Sequence, residues 1–273
     1  MSDEFKFVKY EKEDGIGILT FNRPEVMNAH NYAMKVEAQT VSDRVLEDDE
    51  VQVLIITGAG RGFHTGEDVK DVLLGEDFDK LKLDRLRSWT GRLSASSWTG
   101  QVSPIYYYGF GKPVIAAVNG PAVGAGFSIA LGADIRIASE TAKFGYFYTR
   151  RGLLGSSRAL TVLVHTIGIS RTMEMMLSGE LIDAQESLEM GLVRKVVPAD
   201  QLMDEAKAFA RKLMQGAPLA QRAIKASLYK ELFDPSDLVT FNTLVDHALS
   251  ETEDHKEGAR AFTEKRAPKW KSR

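Results

Sequence analysis

The sequence contains no cysteine, which excludes disulfide bonds, thiolate nucleophiles and cysteine metal ligands. Its five histidines lack the spacing of a metal-binding motif, so we expect no metal. No apolar run approaches the roughly 18 residues that a membrane span needs, and the charged start MSDEFKFVKYEKEDG has no apolar signal segment. These absences predict a soluble, cytoplasmic protein without a membrane partner.

The chain also lacks an excess of positive charge. Its formal net charge is −3 and its pI is about 6.0, so no overall field attracts nucleic acid, and we expect no nucleic-acid partner. With 273 residues the chain is long enough to bury a large core.

What the sequence does contain is an α/β pattern in which buried strands alternate with glycine-rich turns and helices. Residues 5–10 and 15–21 are rich in β-branched and aromatic residues and predict a hairpin. Apolar spacing predicts a helix from Tyr32 to Leu46, and the run VQVLIIT at 51–57 predicts a buried strand. From about Ala159 to the end, the pattern is mostly helical.

The most informative stretch is KPVIAAVNGPAVGAGFSIALGAD at 112–134, which predicts a strand, a turn at 119–121 and a helix of small residues. Gly124, Ala125 and Gly126 fall where that helix begins. Unpaired N–H groups at a helix start attract an oxygen with negative charge, and small residues let a ligand approach them. The alternative is that these small residues only allow close helix packing.

A second glycine-rich turn, GAGRGFHTG at 58–66, follows the strand at 51–57. Its spacing matches neither GxGxxG nor GxxxxGK[ST], so a phosphate-binding loop is not predicted. The long polar and aromatic segment at 75–111 is typical of a lid or wall beside a site.

Five motifs together resemble the crotonase family, the enoyl-CoA hydratases and isomerases. Along the chain they are NRPEVMNA at 22–29, GFHTGEDVK at 62–70, the 112–134 stretch, ALSETEDHKEG at 248–258 and AFTEKR at 261–266. They occur in order and extend over nearly the whole length.

The resemblance implies a fold and an assembly. The fold would be a spiral of repeated ββα units over residues 1–200, followed by a helical oligomerisation region at 201–273. The family forms trimers, commonly paired into hexamers, so a homotrimer or homohexamer is expected. The ligand would be an acyl-CoA thioester, with coenzyme A as part of the substrate and no permanently bound cofactor.

The resemblance also implies roles for particular residues. The backbone N–H groups of Thr65 and Ala125 would form an oxyanion hole around the thioester carbonyl. The stretch from Thr65 through Gly66 and Glu67 to Asp68, together with Gly124, would line the acyl-CoA channel. At the nucleotide end of coenzyme A the contacts would be Lys70, Phe262 and Lys265. Phe262 and Lys265 would come from a neighbouring subunit. For the two lysines, a solvated surface charge is the alternative.

Two positions depart from the family pattern. Hydratases of this family hold the attacking water with two glutamates, and these positions are Ser128 and Tyr148 here. A serine or a tyrosine is mostly protonated near neutral pH and is a poor base. Water addition by the two-glutamate route is therefore in doubt.

Other side chains offer different proton-transfer chemistry. Tyr148 is a candidate proton donor or carboxylate ligand, or an aromatic of the pocket wall. Glu67 is a candidate base, or a charge favourable to a helix start. His64 has a suitable pKa but can equally point into the packing. Ser128 is a further candidate.

Three more residues have two interpretations each. Ser156 lies where relatives place a carboxylate or glycine, and is most simply a turn residue. Arg150 and Arg151 would neutralise a second carboxylate of the substrate, or lie on the surface.

The sequence therefore predicts a thioester enolate enzyme of hydratase or isomerase type. The missing glutamates favour a decarboxylase, a C–C hydrolase or another lyase as alternatives. From another class, a catalytically inactive family member that binds coenzyme A or RNA is the rival, and the acidic pI argues against RNA.

Overall fold

The computed structural model describes residues 5–68, 107, 109–152 and 154–273. A six-stranded sheet runs through it in the order β1-β2-β3-β4-β6-β9. Its strands are β1 (Val8–Glu13), β2 (Ile16–Phe21), β3 (Val53–Gly58), β4 (Val114–Val118), β6 (Ile135–Ser139) and β9 (Lys195–Val197). The β1-β2 pair is antiparallel and the other pairs are parallel. Parallel strands buried on both faces explain why β3 and β4 are almost wholly apolar.

A smaller three-stranded sheet has the order β5-β7-β8. It consists of β5 (Pro121–Val123), β7 (Lys143–Gly145) and β8 (Ile182–Asp183). β5 follows β4 directly, so the chain leaves the large sheet and enters the small one within a few residues. This change of sheet brings the end of β4 and the start of the next helix to one place.

Nine α-helices lie within the described residues. They are α1 (Tyr32–Glu47), α2 (Ala125–Gly132), α3 (Ser157–Ile167), α4 (Ile169–Ser178), α5 (Ala184–Glu189), α6 (Leu202–Leu213), α7 (Pro218–Phe233), α8 (Leu238–Ser250) and α9 (Glu253–Glu264). Short 3₁₀ turns occur at Pro24–Val26, Thr149–Arg151 and Ala199–Gln201. The side chain of Asn31 caps α1 by accepting the Met34 N–H at 2.9 Å, which fixes where that helix begins.

The large sheet has an apolar cluster on each face. Alternate residues of β3 point to opposite sides: Leu54 joins the cluster that contains α1, and Ile55 joins the cluster that contains α6. α6 buries Leu202, Ala206 and Ala210 in that second cluster. α6 thus packs on the sheet itself, although it lies beyond residue 200, and the division into 1–200 and 201–273 stays a prediction.

The loop between β2 and α1 is built around Asn28, which is completely buried. Its side chain accepts the Arg23 N–H at 2.8 Å and donates to the carbonyls of Ala59 at 2.9 Å and Gly62 at 2.7 Å. Met27 and Asn28 have left-handed backbones, with φ of 53° and 59°. This loop therefore joins the N-terminal hairpin to the glycine-rich turn after β3.

Most predicted elements are confirmed within a few residues. The hairpin forms at 8–21, and the helix predicted from Tyr32 to Leu46 is α1. The turn predicted at 119–121 is wrong in part, because Pro121 already pairs with Lys143 as the first residue of β5. Most of the predicted lid at 75–111 lies outside the described residues. None of the helices in the described ranges has the length and apolarity to cross a membrane.

Candidate active site

The two glycine-rich turns lie side by side, joined through the backbone of His64. Its N–H donates to Pro121 O at 3.1 Å, and its carbonyl accepts the Val123 N–H at 3.0 Å. A Cβ at Gly126 would lie 1.8 Å from His64 O, so this position has room only for glycine. The turn at 63–68 and the start of α2 are therefore in direct backbone contact.

Ala125 is the first residue of α2, and its N–H has no partner within the helix. Among residues 5–68, 107, 109–152 and 154–273, no hydrogen bond uses this N–H. Gly124, with φ of 57°, turns the chain into the helix and donates its own N–H to Gly145 O at 2.9 Å. The predicted position of Ala125 at a helix start is thus confirmed, and its role as an oxyanion donor stays a prediction.

Thr65 differs from the expectation. Its N–H donates to Met27 O at 3.2 Å, and its Oγ1 donates to the same carbonyl at 3.1 Å. The amide is thus already bound by a carbonyl of the protein and directed to the loop before α1. This geometry argues against Thr65 N–H as an oxyanion donor.

The next peptide, between Gly66 and Glu67, has the opposite orientation. Gly66 O accepts the His30 N–H at 2.8 Å, and Asp68 N–H donates to His30 O at 3.0 Å. In a trans peptide the C=O and the following N–H point in opposite directions, so the Glu67 N–H points away from His30. A Cβ on Gly66 would lie 3.4 Å from Ala125 N, which shows how close the two turns are here.

A cavity of about 50 Å³ lies where the two turns meet. Its described lining consists of Thr65, Gly66, Glu67, Val123, Gly124, Ala125, Phe147, Tyr148 and Arg151. A cavity of this size has room for a small group such as a thioester carbonyl.

Of the two positions that depart from the family pattern, only Tyr148 lines this cavity. Its ring packs 4.6 Å from the ring of Tyr146. Ser128 is completely buried in α2, with its Oγ 3.4 Å from Gly124 O. Ser128 does not line the cavity, so the structure argues against it as a catalytic group.

Tyr146 lies behind Tyr148 and is almost fully buried. Its hydroxyl accepts the Ser156 N–H at 2.7 Å and donates to Ser156 O at 3.1 Å. Burial raises the pKa of the Tyr146 hydroxyl, and hydrogen bonds with Ser156 and Ser128 partly oppose that rise. Tyr146 is thus a neutral support for the wall.

Both histidines near the first turn are buried. His64 Nδ1 accepts the Gly66 N–H at 3.0 Å, and His64 Nε2 lies 3.2 Å from His30 Nδ1. Burial, and next the nearby His30, hold the pKa of His64 well below its usual value. The expectation that this side chain points into the packing is confirmed.

Of the three remaining candidates, Ser156 and Arg150 make structural contacts, and Arg151 lines the cavity. Ser156 caps α3 by accepting the Ala159 N–H at 3.3 Å. The Arg150 guanidinium lies 5.4 Å from the Phe147 ring, and its side chain lies against Gly179. Arg151 lines the cavity, and no carboxylate of the described residues lies within 4.0 Å of its guanidinium.

Of the predicted substrate and coenzyme A contacts, Thr65, Gly66, Glu67 and Gly124 line the cavity, whereas the others that the structure describes do not. Asp68 forms an ion pair with Arg23 at 3.1 Å and does not line the cavity. Phe262 and Lys265, at the end of α9, are exposed, and Lys70 lies outside the described residues. The predicted neighbouring-subunit role of the first two stays a prediction.

Sequence reasoning did not single out the residues that support the first turn, namely Asn28 and His30. The motif NRPEVMNA contains the first of them, and the interruption of the apolar pattern before α1 was the available signal. No cluster of three or more histidine, aspartate or glutamate side chains arranged for a metal occurs in the described part of the chain.

Comparison with known proteins defines the class. The sequence model of the family "Enoyl-CoA hydratase/isomerase" matches residues 11–273. The chain belongs to this family, known as the crotonase family, and has its fold.

Individual relatives extend over nearly the whole chain. A probable enoyl-CoA hydratase of Mycobacterium bovis is 32% identical, with 98% of this chain and 99% of the relative covered. The (E)-benzylidenesuccinyl-CoA hydratase of Thauera aromatica is 34% identical, with 96% and 97% covered. A crystal structure of an enoyl-CoA hydratase from Mycobacterium tuberculosis superimposes with a TM-score of 0.84 at 30% identity, covering 98% of this chain and 99% of that one. These similarities support an acyl-CoA enzyme of the crotonase type.

Proposed function

We propose that the protein binds an acyl-CoA thioester and stabilises its enolate with two backbone N–H groups, those of Ala125 and Glu67. The observation that carries this proposal is the meeting of two turns at one cavity. Ala125 lies at this cavity because α2 begins at that residue. The Gly66–Glu67 peptide also lies there, and its N–H, which belongs to Glu67, points away from His30. The Glu67 amide replaces the Thr65 amide, which is bound to Met27 O.

Two such donors account for much of the catalysis. Negative charge develops on the thioester oxygen when the enolate forms, and fixed N–H groups stabilise this charge without having to reorganise. In hydrolytic enzymes, removing one donor of this kind costs about 3–4 kcal/mol of transition-state stabilisation. The backbone bonds at His64, Gly124 and Gly66 hold the donors in place before substrate arrives.

Proton transfer then falls to the side chains at the cavity. Glu67 and Tyr148 both line it, so we assign the base to the Glu67 carboxylate and the proton donor to the Tyr148 hydroxyl. In an isomerisation, the Glu67 carboxylate removes a proton next to the thioester carbonyl, and Tyr148 delivers its hydroxyl proton to another carbon. Proton transfer from the Glu67 carboxyl group to the Tyr148 phenolate, directly or through solvent, then restores both groups. Hydration would need, in addition, a water molecule positioned at the site for attack on the acyl group.

A decarboxylase or another lyase is the second candidate. The observation that favours it is the loss of both hydratase glutamates, since Ser128 is buried away from the cavity and Tyr148 is a poor base. In such a reaction the carboxylate departs as CO₂, the electron pair of the broken C–C bond forms the enolate, and only the proton donor is needed.

Arg151 suggests the kind of acyl group. Its cationic side chain lines the cavity near Tyr148, and an arginine pairs well with a carboxylate. The relative from Thauera aromatica is named for a benzylidenesuccinyl thioester, which carries a second carboxyl group. We therefore favour a thioester with a carboxylate on its acyl part.

The surface supports the expected homotrimer or homohexamer. Ile169, Met173 and Leu177 form an exposed apolar stripe on α4, and Ile224 and Leu228 form another on α7. Contiguous exposed apolar surface of this kind is typical of an interface. The absence of a permanently bound cofactor stays a prediction.

A pair of variants tests the proposed donor. Ala125→Pro removes the N–H at the first position of α2, where proline is tolerated, and Ala125→Val adds similar bulk but keeps the N–H. With a panel of enoyl-, malonyl-type and carboxylated acyl-CoA thioesters followed by product mass, we expect turnover by the wild type. The proline variant should lose about 100-fold in kcat relative to the valine variant.

The panel also decides the class of protein. Equal kcat in the two variants would remove the Ala125 donor from the mechanism. Binding of the thioesters without turnover of any of them would instead identify an inactive coenzyme A binder.

A further inference from the structure

His64 holds the peptide that carries the second proposed donor. Gly66 has φ of 97°, a backbone conformation that glycine adopts readily. The bond from Gly66 N–H to His64 Nδ1 is 3.0 Å long, and the His64 side chain is completely buried. A side-chain acceptor for the N–H two residues later is the arrangement of an Asx turn, formed here by a histidine.

The protonation of His64 follows from its partners. Nδ1 accepts a hydrogen bond from a backbone N–H, so it carries no proton. The proton of the neutral ring is then on Nε2, which lies 3.2 Å from His30 Nδ1 and donates to it. His30 in turn uses its own backbone to bind Gly66 O and Asp68 N–H. One continuous set of bonds therefore runs from His30 through His64 to the Gly66–Glu67 peptide.

We propose that His64 is a positioning residue that orients the Glu67 N–H toward the thioester oxygen by accepting the Gly66 N–H. The inference rests on the proposed function, since it assigns a role within the same site. His64 does not touch the substrate: it is buried behind the turn and does not line the cavity. Its effect is transmitted through the conformation of Gly66.

The geometry of histidine offers two variants that separate the two hydrogen bonds. In His64→Asn, Oδ1 takes the place of Nδ1 and can accept the Gly66 N–H, but the bond to His30 is lost. In His64→Gln, Oε1 or Nε2 takes the place of the histidine Nε2 and can reach His30, but the Gly66 N–H loses its acceptor. Each variant removes one buried hydrogen bond, so we expect similar falls in melting temperature.

Activity should distinguish them. The asparagine variant should keep kcat within about threefold of the wild type, and the glutamine variant should lose up to about 100-fold, since a small misplacement of a catalytic donor has an effect of that order. KM should change little in either. The exposed His165→Gln is the control for the substitution itself. Equal kcat losses in the two variants at equal stability would overturn the proposal.

A second measurement does not depend on activity. Amide hydrogen exchange by NMR, on the protein without substrate, reports the protection of Gly66 N–H. We expect protection in the wild type and in His64→Asn, and faster exchange in His64→Gln. Failure of the wild type to turn over any thioester would refute the proposed function, while the exchange would still decide whether His64 orients this peptide. Equal exchange in the two variants would refute the inference alone.

Discussion

At the scale of single residues, we propose that Tyr148 protonates the enolate. Tyr148 lines the cavity, and Tyr146 and Gly155 lie against its ring. We expect Tyr148→Phe to lower kcat by about 100-fold with KM nearly unchanged, because general acid catalysis contributes at least that factor. Steady-state kinetics on the best thioester of the panel measures this.

The control for Tyr148 is Tyr10→Phe in β1. The Tyr10 hydroxyl is buried and has no hydrogen-bond partner among the described residues, so removing it should change neither kcat nor stability. A Tyr148→Phe protein as active as this control would show that the ring is only part of the wall.

Arg151 belongs to the same scale and concerns selectivity. Arg151→Gln should lower kcat/KM about tenfold for thioesters with a carboxylate on the acyl group, since hydrogen bonds to charged groups contribute roughly 1.5–3 kcal/mol. For uncharged acyl groups of equal length it should change little.

Arg150→Gln serves as the comparison for Arg151, because Arg150 carries the same charge on the adjacent residue but lies on Phe147 and Gly179. Equal losses on charged and uncharged thioesters would assign Arg151 to a phosphate of coenzyme A. An unchanged kcat/KM on both kinds of thioester would show that Arg151 is a surface residue without a role in binding.

At the scale of elements, the contact between α2 and the first turn sets the distance between the two proposed donors. Gly126→Ala would place a Cβ 1.8 Å from His64 O, so the two elements must move apart. Overpacking of this kind costs about 1–3 kcal/mol, and we expect a lower melting temperature together with a large loss of kcat. Thermal unfolding and kinetics measure the two effects.

Gly258→Ala is the matched control, since Gly258 also lies within a helix. Its Cβ would meet only the Trp270 ring at 3.5 Å, an ordinary contact. Alanine there should stabilise α9 by about 0.5–1 kcal/mol. A Gly126→Ala protein that behaved in the same way would contradict the close contact with His64.

The sequence predicted these elements better than it predicted their contacts. Apolar spacing was sufficient for α1 and β3, and the glycine-rich motifs identified both turns. Which amide of the first turn points to the cavity depends on Met27 and His30, far away in sequence, and on the φ of Gly66. Local pattern contains no information on such a bond: motif alignment points to the Thr65 amide, whereas the contacts lead us to propose the Glu67 amide.

The same limit applies to Ser128. Ser128 lies four residues after Gly124, at the motif position of the first hydratase glutamate. However, all eight residues of α2 are buried, and the Ser128 side chain is on a side of the helix that does not face the cavity. Motif alignment shows which residue type occupies a position. The direction in which the Ser128 side chain points depends instead on its packing against Tyr146 and the neighbouring residues.

At the scale of the whole molecule, the exposed apolar stripes on α4 and α7 predict association. Light scattering should give three or six times the chain mass of 30.2 kDa. Leu228→Glu should shift the population toward smaller species, because it places a charge in an apolar contact. The exposed Glu231→Lys on the same helix is the control and should leave the mass unchanged.

A monomeric wild-type protein would contradict the proposed assembly. It would also remove the basis for placing Phe262 and Lys265 of one chain at the coenzyme A of another. The proposed donors lie within one chain, so their test does not depend on the outcome.

The cavity combines a floor made of main chain with a rim made of side chains. The floor is fixed by backbone bonds among three distant segments, whereas Tyr148 and Arg151 lie beside the short turn Thr149–Arg151 that Thr149 anchors to Met176 O. We propose that the main-chain floor stabilises the charge, while the rim supplies proton transfer through Tyr148 and selectivity through Arg151. Directed evolution at Arg151 is therefore expected to change which acyl groups are accepted while the proposed backbone donors stay in place.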